Sequence, residues 1–169
     1  MYKNARDRLQ PALLDRLRDD RPEQGVEAQQ RWVLSFEQLK QAVLRDLAWL
    51  LNTISVSAHD DLAAYPHVQQ STLNYGVAAL AGKRLSEIEW TEVEFAVHDA
   101  IVQFEPRILQ ESLSVRCLST ATDIEHHNVI ALLIRGQLWA NPYPRELLVR
   151  TEIDLESGQI ALEEIDEEQ

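Results

Sequence analysis

Few residues in this chain stand in the patterns that catalysis, metal binding or cofactor binding requires. His126 and His127 are adjacent, and neighbouring residues on a strand point to opposite faces, so the pair is poorly placed to share one metal ion. Cys117 is the single cysteine, and the apolar alternation around it favours a buried structural thiol over a nucleophile. The sequence has no glycine-rich phosphate loop, no Gly-x-Ser-x-Gly motif and no paired-cysteine metal site. It therefore predicts neither a cofactor nor a metal.

A charged pair on either side of a proline is the strongest candidate for a functional site. Pro106 ends a predicted helix, so Glu105 and Arg107 lie at an abrupt exit from that helix. One interpretation is a local ion pair that stabilises the fold. The other is a rigid contact for a partner, because the planar fork of Arg107 can bind carboxylates or carbonyls and the proline restricts the unbound chain. The residues alone leave both interpretations open.

Helical periodicity in the first two thirds of the chain indicates the elements that hold this pair. Two capping boxes, in which Ser or Thr is followed three residues later by Gln or Glu, predict helix starts at 35–38 and 91–94. Asn52 is expected to end the first of these helices, because Asn tolerates the left-handed conformation at a helix end. Pro106 ends the second. Gly76 suits the position just past another, shorter helix.

The last third of the chain changes to alternating periodicity. Apolar residues alternate over 113–118 and 147–155, and 129–134 is apolar on both faces, which is typical of a central strand. Ser157–Gly158 predicts a tight turn, so the chain is expected to end in a hairpin. Helices first and strands last predict an α+β fold, with N-terminal helices packed on one face of a small C-terminal antiparallel β-sheet.

Charge and length limit the kinds of partner. The chain has 28 acidic and 16 basic residues, a formal charge of −12, which argues against nucleic acid and anionic membrane surfaces. Its longest apolar run has six residues, whereas a membrane span needs about 20, so no membrane insertion is predicted and the domain is expected to be cytoplasmic. We divide the chain into an N-terminal helix and linker (1–30), a single domain (31–163) and an acidic tail (164–169).

Six stretches, taken in order, match one known family. They are RDLAWLLNT at 45–53, LNYG at 73–76, FEPRI at 104–108, HNV at 127–129, LWANPYP at 138–144 and LVRTEID at 148–154. Through them the chain resembles the TssE family, the baseplate subunits of type VI secretion systems, which are related to sheath-initiating wedge proteins of contractile-tail phages. The family commonly has Arg where this chain has Ile54, and a Pro-Asp pair where it has Ala78 and Ala79.

The resemblance implies a non-catalytic scaffold that docks on the wedge complex and initiates sheath polymerisation. Glu105, Pro106 and Arg107 are then expected to hold the wedge subunits TssF and TssG. Replacing Arg107 by Ala should weaken that contact and leave thermal stability nearly unchanged. A strand edge is expected to accept a strand of the TssB/TssC sheath by β-augmentation. The residues assigned to that edge are Glu152, Gln159, Ile160 and Leu162.

Two other functions stay open at this point. Some relatives carry a lysozyme-like label, which would make the chain a glycosidase with two carboxylates about 5–9.5 Å apart. Glu105 is a poor acid for that reaction, because a neighbouring Arg favours the deprotonated carboxylate. The third possibility is a separate regulatory binding protein of the same fold, resembling the anti-adaptor proteins that occupy a partner of a protease.

Overall fold

The computed structural model describes residues 12–17, 23, 34–78, 89–118, 129–140 and 142–165. Helices lie in the N-terminal half and a four-stranded antiparallel sheet lies in the C-terminal half, which is the predicted α+β arrangement. The helices are α1 (Leu13–Leu17), α2 (Phe36–Leu51), α3 (Pro66–Gln69) and α4 (Trp90–Phe104), with 3-10 turns at Val56–Ala58, Thr72–Asn74 and Gln110–Ser112. The strands are β1 (Ser114–Cys117), β2 (Val129–Leu138), β3 (Arg145–Asp154) and β4 (Ile160–Glu164). His126, His127 and most of the predicted N-terminal helix and linker (1–30) lie outside the described residues.

Helix α2 begins as its sequence predicts. The Ser35 hydroxyl accepts the N–H of Gln38 at 3.2 Å, and the Gln38 side chain accepts the N–H of Ser35 at 2.9 Å. This reciprocal capping box satisfies two backbone donors at the helix start. Asn52 ends the helix, but with φ −89° it does not take the predicted left-handed conformation. Its side chain instead donates to the carbonyl of Ala48 at 2.8 Å.

Helix α4 begins differently from the prediction. The residue before its first turn is Glu89, and no side chain caps the helix, so the capping box predicted at 91–94 does not form. The Glu94 carboxylate instead accepts the backbone N–H of Cys117 on β1, at 2.7 Å. The predicted end is confirmed, because the helix stops at Phe104 and leads directly into Glu105.

The sheet is an antiparallel meander with the strand order β1-β2-β3-β4. The two long strands, β2 and β3, pair over their whole length, with Ile134 opposite Val149. Strands β3 and β4 form the predicted terminal hairpin. Glu164, which the sequence assigns to the acidic tail, is part of β4 and pairs with β3, and the N–H of Ile165 donates to the carbonyl of Leu148 at 3.1 Å. Residues 166–169 lie outside the described residues.

Helices α2 and α4 pack against one face of this sheet. Alternate residues of β2 and β3 point into the core, and the other face carries exposed charged side chains such as Arg135 and Arg150. The most deeply buried large side chains are Leu39, Leu47, Leu50, Ile101, Ile130, Leu132, Ile134, Leu138, Leu147 and Ile153. None of the helices within the described ranges is long and apolar enough to cross a membrane.

A glycine holds the loop between α2 and α4 close to the end of α2. Gly76 has φ +124°, and a Cβ atom there would lie 2.3 Å from the carbonyl oxygen of Thr53. The close approach allows Val77 to donate its N–H to Thr53 at 2.9 Å and to accept the N–H of Ser55 at 3.1 Å. The sequence predicts a short helix just before Gly76, whereas the structure has α3 followed by a separate 3-10 turn that ends at Asn74.

Candidate functional site

Glu105 and Arg107 lie just after the end of α4, and their side chains bind each other. The Glu105 side chain is only 3% exposed, and that of Arg107 is 24% exposed. The Nε of Arg107 donates to Glu105 Oε1 at 2.6 Å, its Nη2 donates to Oε2, and its backbone N–H also reaches Oε1 at 3.2 Å. The local ion pair that the sequence left open as one interpretation is therefore present. Other residues of the chain therefore bind Nε and Nη2 of the Arg107 guanidinium. Its Nη1 makes no hydrogen bond to a described residue.

The pair continues into α2 through residues that the sequence analysis did not single out. Arg107 Nη2 donates to Asp46 Oδ2 at 2.6 Å. The other oxygen of Asp46 accepts Nε and Nη2 of Arg45, at 2.9 and 2.8 Å. Arg45 in turn binds both carboxylate oxygens of Asp15 on α1. We call this alternating series, Asp15–Arg45–Asp46–Arg107–Glu105, the charge chain.

The electrostatics of the charge chain keep both arginines charged. Burial would lower the pKa of Arg107, but the hydrogen bonds and charge of Glu105, followed by those of Asp46, outweigh it and raise the pKa. The pKa of Arg45 is also raised, chiefly by its hydrogen bond to Asp15, against the effect of burial. These guanidinium groups can bind oxygen atoms of a partner but do not exchange protons at neutral pH.

An open groove of about 260 Å³ lies beside the charge chain. Trp49 forms an exposed part of its wall, with 48% of its surface accessible, and the Arg45 guanidinium stacks 4.9 Å from the ring centroid. Tyr75 and Phe104 meet edge to face at 5.2 Å, and the Tyr75 hydroxyl donates to the backbone carbonyl of Asp46 at 3.3 Å. The lining residues are Ala12, Leu14, Arg45, Asp46, Trp49, Leu50, Tyr75, Phe104, Glu105 and Arg107. An aromatic surface beside fixed charges is typical of a protein-docking site.

The residues predicted for a strand edge do not all lie at one. Glu152 is on β3, which pairs with β2 on one side and β4 on the other, so its assignment to an edge is wrong. Gln159 lies in the turn before β4, and its N–H donates to the Ser157 hydroxyl at 3.2 Å. Ile160 and Leu162 do lie on β4, which is an outer strand of the sheet. The alternation of residues does not show which strand is outermost, because strand order depends on pairing between distant segments.

The hydrogen-bonding pattern identifies which groups of β4 face outward. Along an antiparallel pair of strands, residues whose backbone groups bind the neighbouring strand alternate with residues whose backbone groups point away from it. The carbonyl of Gln159 accepts the N–H of Asp154, and the N–H of Ile165 donates to β3, so these two residues face the sheet. The backbone groups of Ile160, Leu162 and Glu164 consequently point away from it.

The described ranges contain no cluster of three or more His, Cys, Asp or Glu residues placed to hold a metal ion. Cys117, which the sequence predicted to be buried, is only half-buried. The groove and the outer edge of β4 are the candidate functional surfaces.

Residues 37–143 match the family described as baseplate wedge protein gp25. The chain belongs to this family. TssE is the type VI homologue of gp25, so the resemblance found in the sequence is confirmed at the level of the family. No curated protein and no solved structure matches the chain.

The gp25-family match implies a structural role in a baseplate and contact with other baseplate components. The matched region contains most of the groove, including Arg45, Asp46, Trp49 and Arg107. Asp15 and strands β3 and β4 lie outside it. The groove is thus the candidate surface that belongs to the family region, and the β4 edge is a feature of the chain beyond that region.

Proposed function

We propose that this chain is the TssE-type subunit of a type VI secretion baseplate. It docks on the wedge subunits TssF and TssG and initiates polymerisation of the TssB/TssC sheath, on the cytoplasmic side of the apparatus. The observation that carries the proposal is the groove, in which an exposed Trp lies beside two fixed guanidinium groups within the gp25-family region.

The wedge contact is assigned to Glu105, Pro106 and Arg107 together with the groove. Glu105 acts indirectly, because its buried carboxylate holds Nε and Nη2 of Arg107 and fixes the guanidinium plane. The two N–H groups of Nη1 remain for a carbonyl or carboxylate of the wedge. Trp49 supplies apolar area in the same groove. Trp and Arg are enriched among residues that dominate binding energy at protein interfaces.

The wedge contact is tested best by a residue outside the charge chain, since changes within it also alter stability. Trp49→Ala should weaken binding of purified TssF–TssG by about thirtyfold or more, the loss expected for an interface hot spot. Phe95→Ala is the matched control, because Phe95 is also an exposed aromatic residue on a long helix, at 69% exposure, but does not line the groove. Binding can be measured by titration calorimetry. Equal affinities of the two variants would contradict docking at the groove.

The sheath contact is assigned to the outer edge of β4. An unpaired strand edge can accept a further strand through backbone hydrogen bonds. Leu162→Pro removes an outward N–H that β3 does not use, so the hairpin should persist while strand addition fails. Leu162→Ala loses the same side chain but keeps the N–H. We expect the proline variant alone to abolish sheath assembly in cells that lack the native protein. Loss of sheath in both variants would attribute the effect to the side chain and contradict β-augmentation.

The role is non-catalytic. Both carboxylate oxygens of Glu105 bind Arg107, and the side chain is almost fully buried, so it is poorly placed to protonate a glycosidic oxygen. Purified protein should release no reducing ends from peptidoglycan above a buffer control. Turnover that disappears in Glu105→Gln would refute the scaffold role and favour a lysozyme-like glycosidase.

A further inference from the structure

The side chain of Asn52 joins the end of α2 to the outer edge of β4. Its Oδ1 accepts the backbone N–H of Ile160 at 2.9 Å, and its Nδ2 donates to the carbonyl of Ile160, also at 2.9 Å. The same Nδ2 donates to the carbonyl of Ala48 at 2.8 Å. The amide of Asn52 therefore offers Ile160 the same donor and acceptor that the backbone of a neighbouring strand would offer.

The side chain of Asn52 binds one of the three outward-facing residues of β4. The backbone groups of Ile160, Leu162 and Glu164 all point away from β3. Those of Ile160 are bound by Asn52, whereas the N–H groups of Leu162 and Glu164 have no hydrogen-bond partner among the described residues. The backbone groups of β4 are consequently bound at its first residue, Ile160, and available to a further strand at Leu162 and Glu164.

A side chain from a helix also contacts the opposite edge of the sheet. There the Glu94 carboxylate accepts the N–H of Cys117. A carboxylate cannot donate, so it reproduces only half of a strand pairing, whereas the amide of Asn52 reproduces both halves. Covering a strand edge with groups from a helix is a common way to limit unwanted pairing.

We propose that Asn52 is a stop that limits strand addition on β4 to the part of the edge from Leu162 onward. The proposal rests on the proposed function, in which a sheath strand pairs with this edge. A strand that extended to Ile160 would have to displace an amide that already makes three hydrogen bonds. The stop thus sets the register at which the sheath subunit attaches.

The stop can be tested by hydrogen exchange and NMR on the free protein and on its complex with purified TssB/TssC. In the unsubstituted protein, binding should slow exchange at the amides of Leu162 and Glu164 and leave the side-chain amide signal of Asn52 unmoved. In Asn52→Ala, the Ile160 amide should exchange rapidly when free and slowly in the complex. TssB/TssC should bind this variant about tenfold more tightly, because the added strand gains two hydrogen bonds.

Thr53→Ala is the matched control for damage to the end of α2. The Thr53 hydroxyl donates to the carbonyl of Trp49 at 2.7 Å and makes no hydrogen bond to β4. Thr53→Ala should bind TssB/TssC like the unsubstituted protein and keep Ile160 protected. A gain in affinity equal to that of Asn52→Ala would overturn the stop, because loosening of the helix end would then explain both.

The outcomes separate the stop from the function on which it rests. Bound sheath subunits that leave Leu162 unprotected would contradict strand addition at β4 itself. Protection of Leu162 without protection of Ile160 in the Asn52→Ala complex would retain strand addition and overturn the stop. Movement of the Asn52 side-chain signal when the unsubstituted protein binds TssB/TssC would also overturn it, and that measurement needs no substitution.

Discussion

Replacing Arg107 by Ala is expected to destabilise this protein strongly. The substitution removes both side-chain donors that bind the Glu105 carboxylate, and leaves it with the backbone N–H of residue 107. Because Glu105 is only 3% exposed, its carboxylate has little contact with water to compensate for the lost guanidinium. Asp46 loses one partner but keeps Arg45. The principal effect is therefore an uncompensated charge in the protein interior.

The size of the effect follows from that burial. Removing one partner of a buried ion pair lowers the free energy of unfolding by about 3–5 kcal/mol. For a chain of this length, each kcal/mol corresponds to about 2–4 °C in Tm, so Tm should fall by about 6–20 °C. This replaces the sequence-based expectation of almost unchanged stability, which assumed that Arg107 faces a partner. Arg107→Lys should lose less, because the charge remains but a single ammonium does not reproduce the two-sided fork.

Chemical denaturation monitored by circular dichroism measures this loss directly. Arg150→Ala is a suitable control, since Arg150 and Glu152 form an ion pair at 3.2 Å with side chains 47% and 53% exposed. An exposed pair of this kind contributes about 0–1 kcal/mol. A loss below about 1 kcal/mol for Arg107→Ala, equal to that of the control, would refute the reasoning from burial.

Two further predictions concern the loop after α2 and the terminal hairpin. Gly76→Ala should lower the free energy of unfolding by about 1–3 kcal/mol, because its φ is +124° and a Cβ there would lie 2.3 Å from the carbonyl oxygen of Thr53. Chemical denaturation should show this loss. Gly158→Ala should lose less, because its φ of 72° lies near the left-handed helical region, which other residues adopt at modest cost. The pKa of Asp154 is lowered by hydrogen bonds from the N–H of Glu156, the hydroxyl of Ser157 and the N–H of Ser157. Because the pKa of Asp154 is lowered from its ordinary value of 3.8 in the folded chain, ionised Asp154 stabilises the fold at pH values above 3.8. This stabilisation is lost as the pH falls through the folded-state pKa, so acid should weaken the hairpin. Asp154→Asn should make Tm depend less on pH between about pH 5 and about pH 2, and an unchanged pH profile would contradict this assignment.

Much of the local structure can be predicted from the sequence, because its causes act within a few residues. Ser35 and Gln38 cap α2 through atoms three residues apart, and Pro106 ends α4 because it lacks an N–H and fixes its own φ. The alternation in the last third predicts strands for the same reason, since side chains on a strand point to opposite faces in turn. The family resemblance likewise depends on residues in linear order.

The candidate surfaces were decided by tertiary structure. Asp46 and Arg107 are 61 residues apart, and Asn52 and Ile160 are 108 apart, so no local spacing indicates that either pair will meet. Glu94 matches a capping motif but binds Cys117, because the packing of α4 against the sheet brings the edge of β1 within its reach. Glu152 has the alternation of any strand residue, and only the pairing of β3 on both sides excludes it from an edge. The charge chain and the edge of β4 exist because the folded chain brings distant side chains and backbone groups within hydrogen-bonding distance.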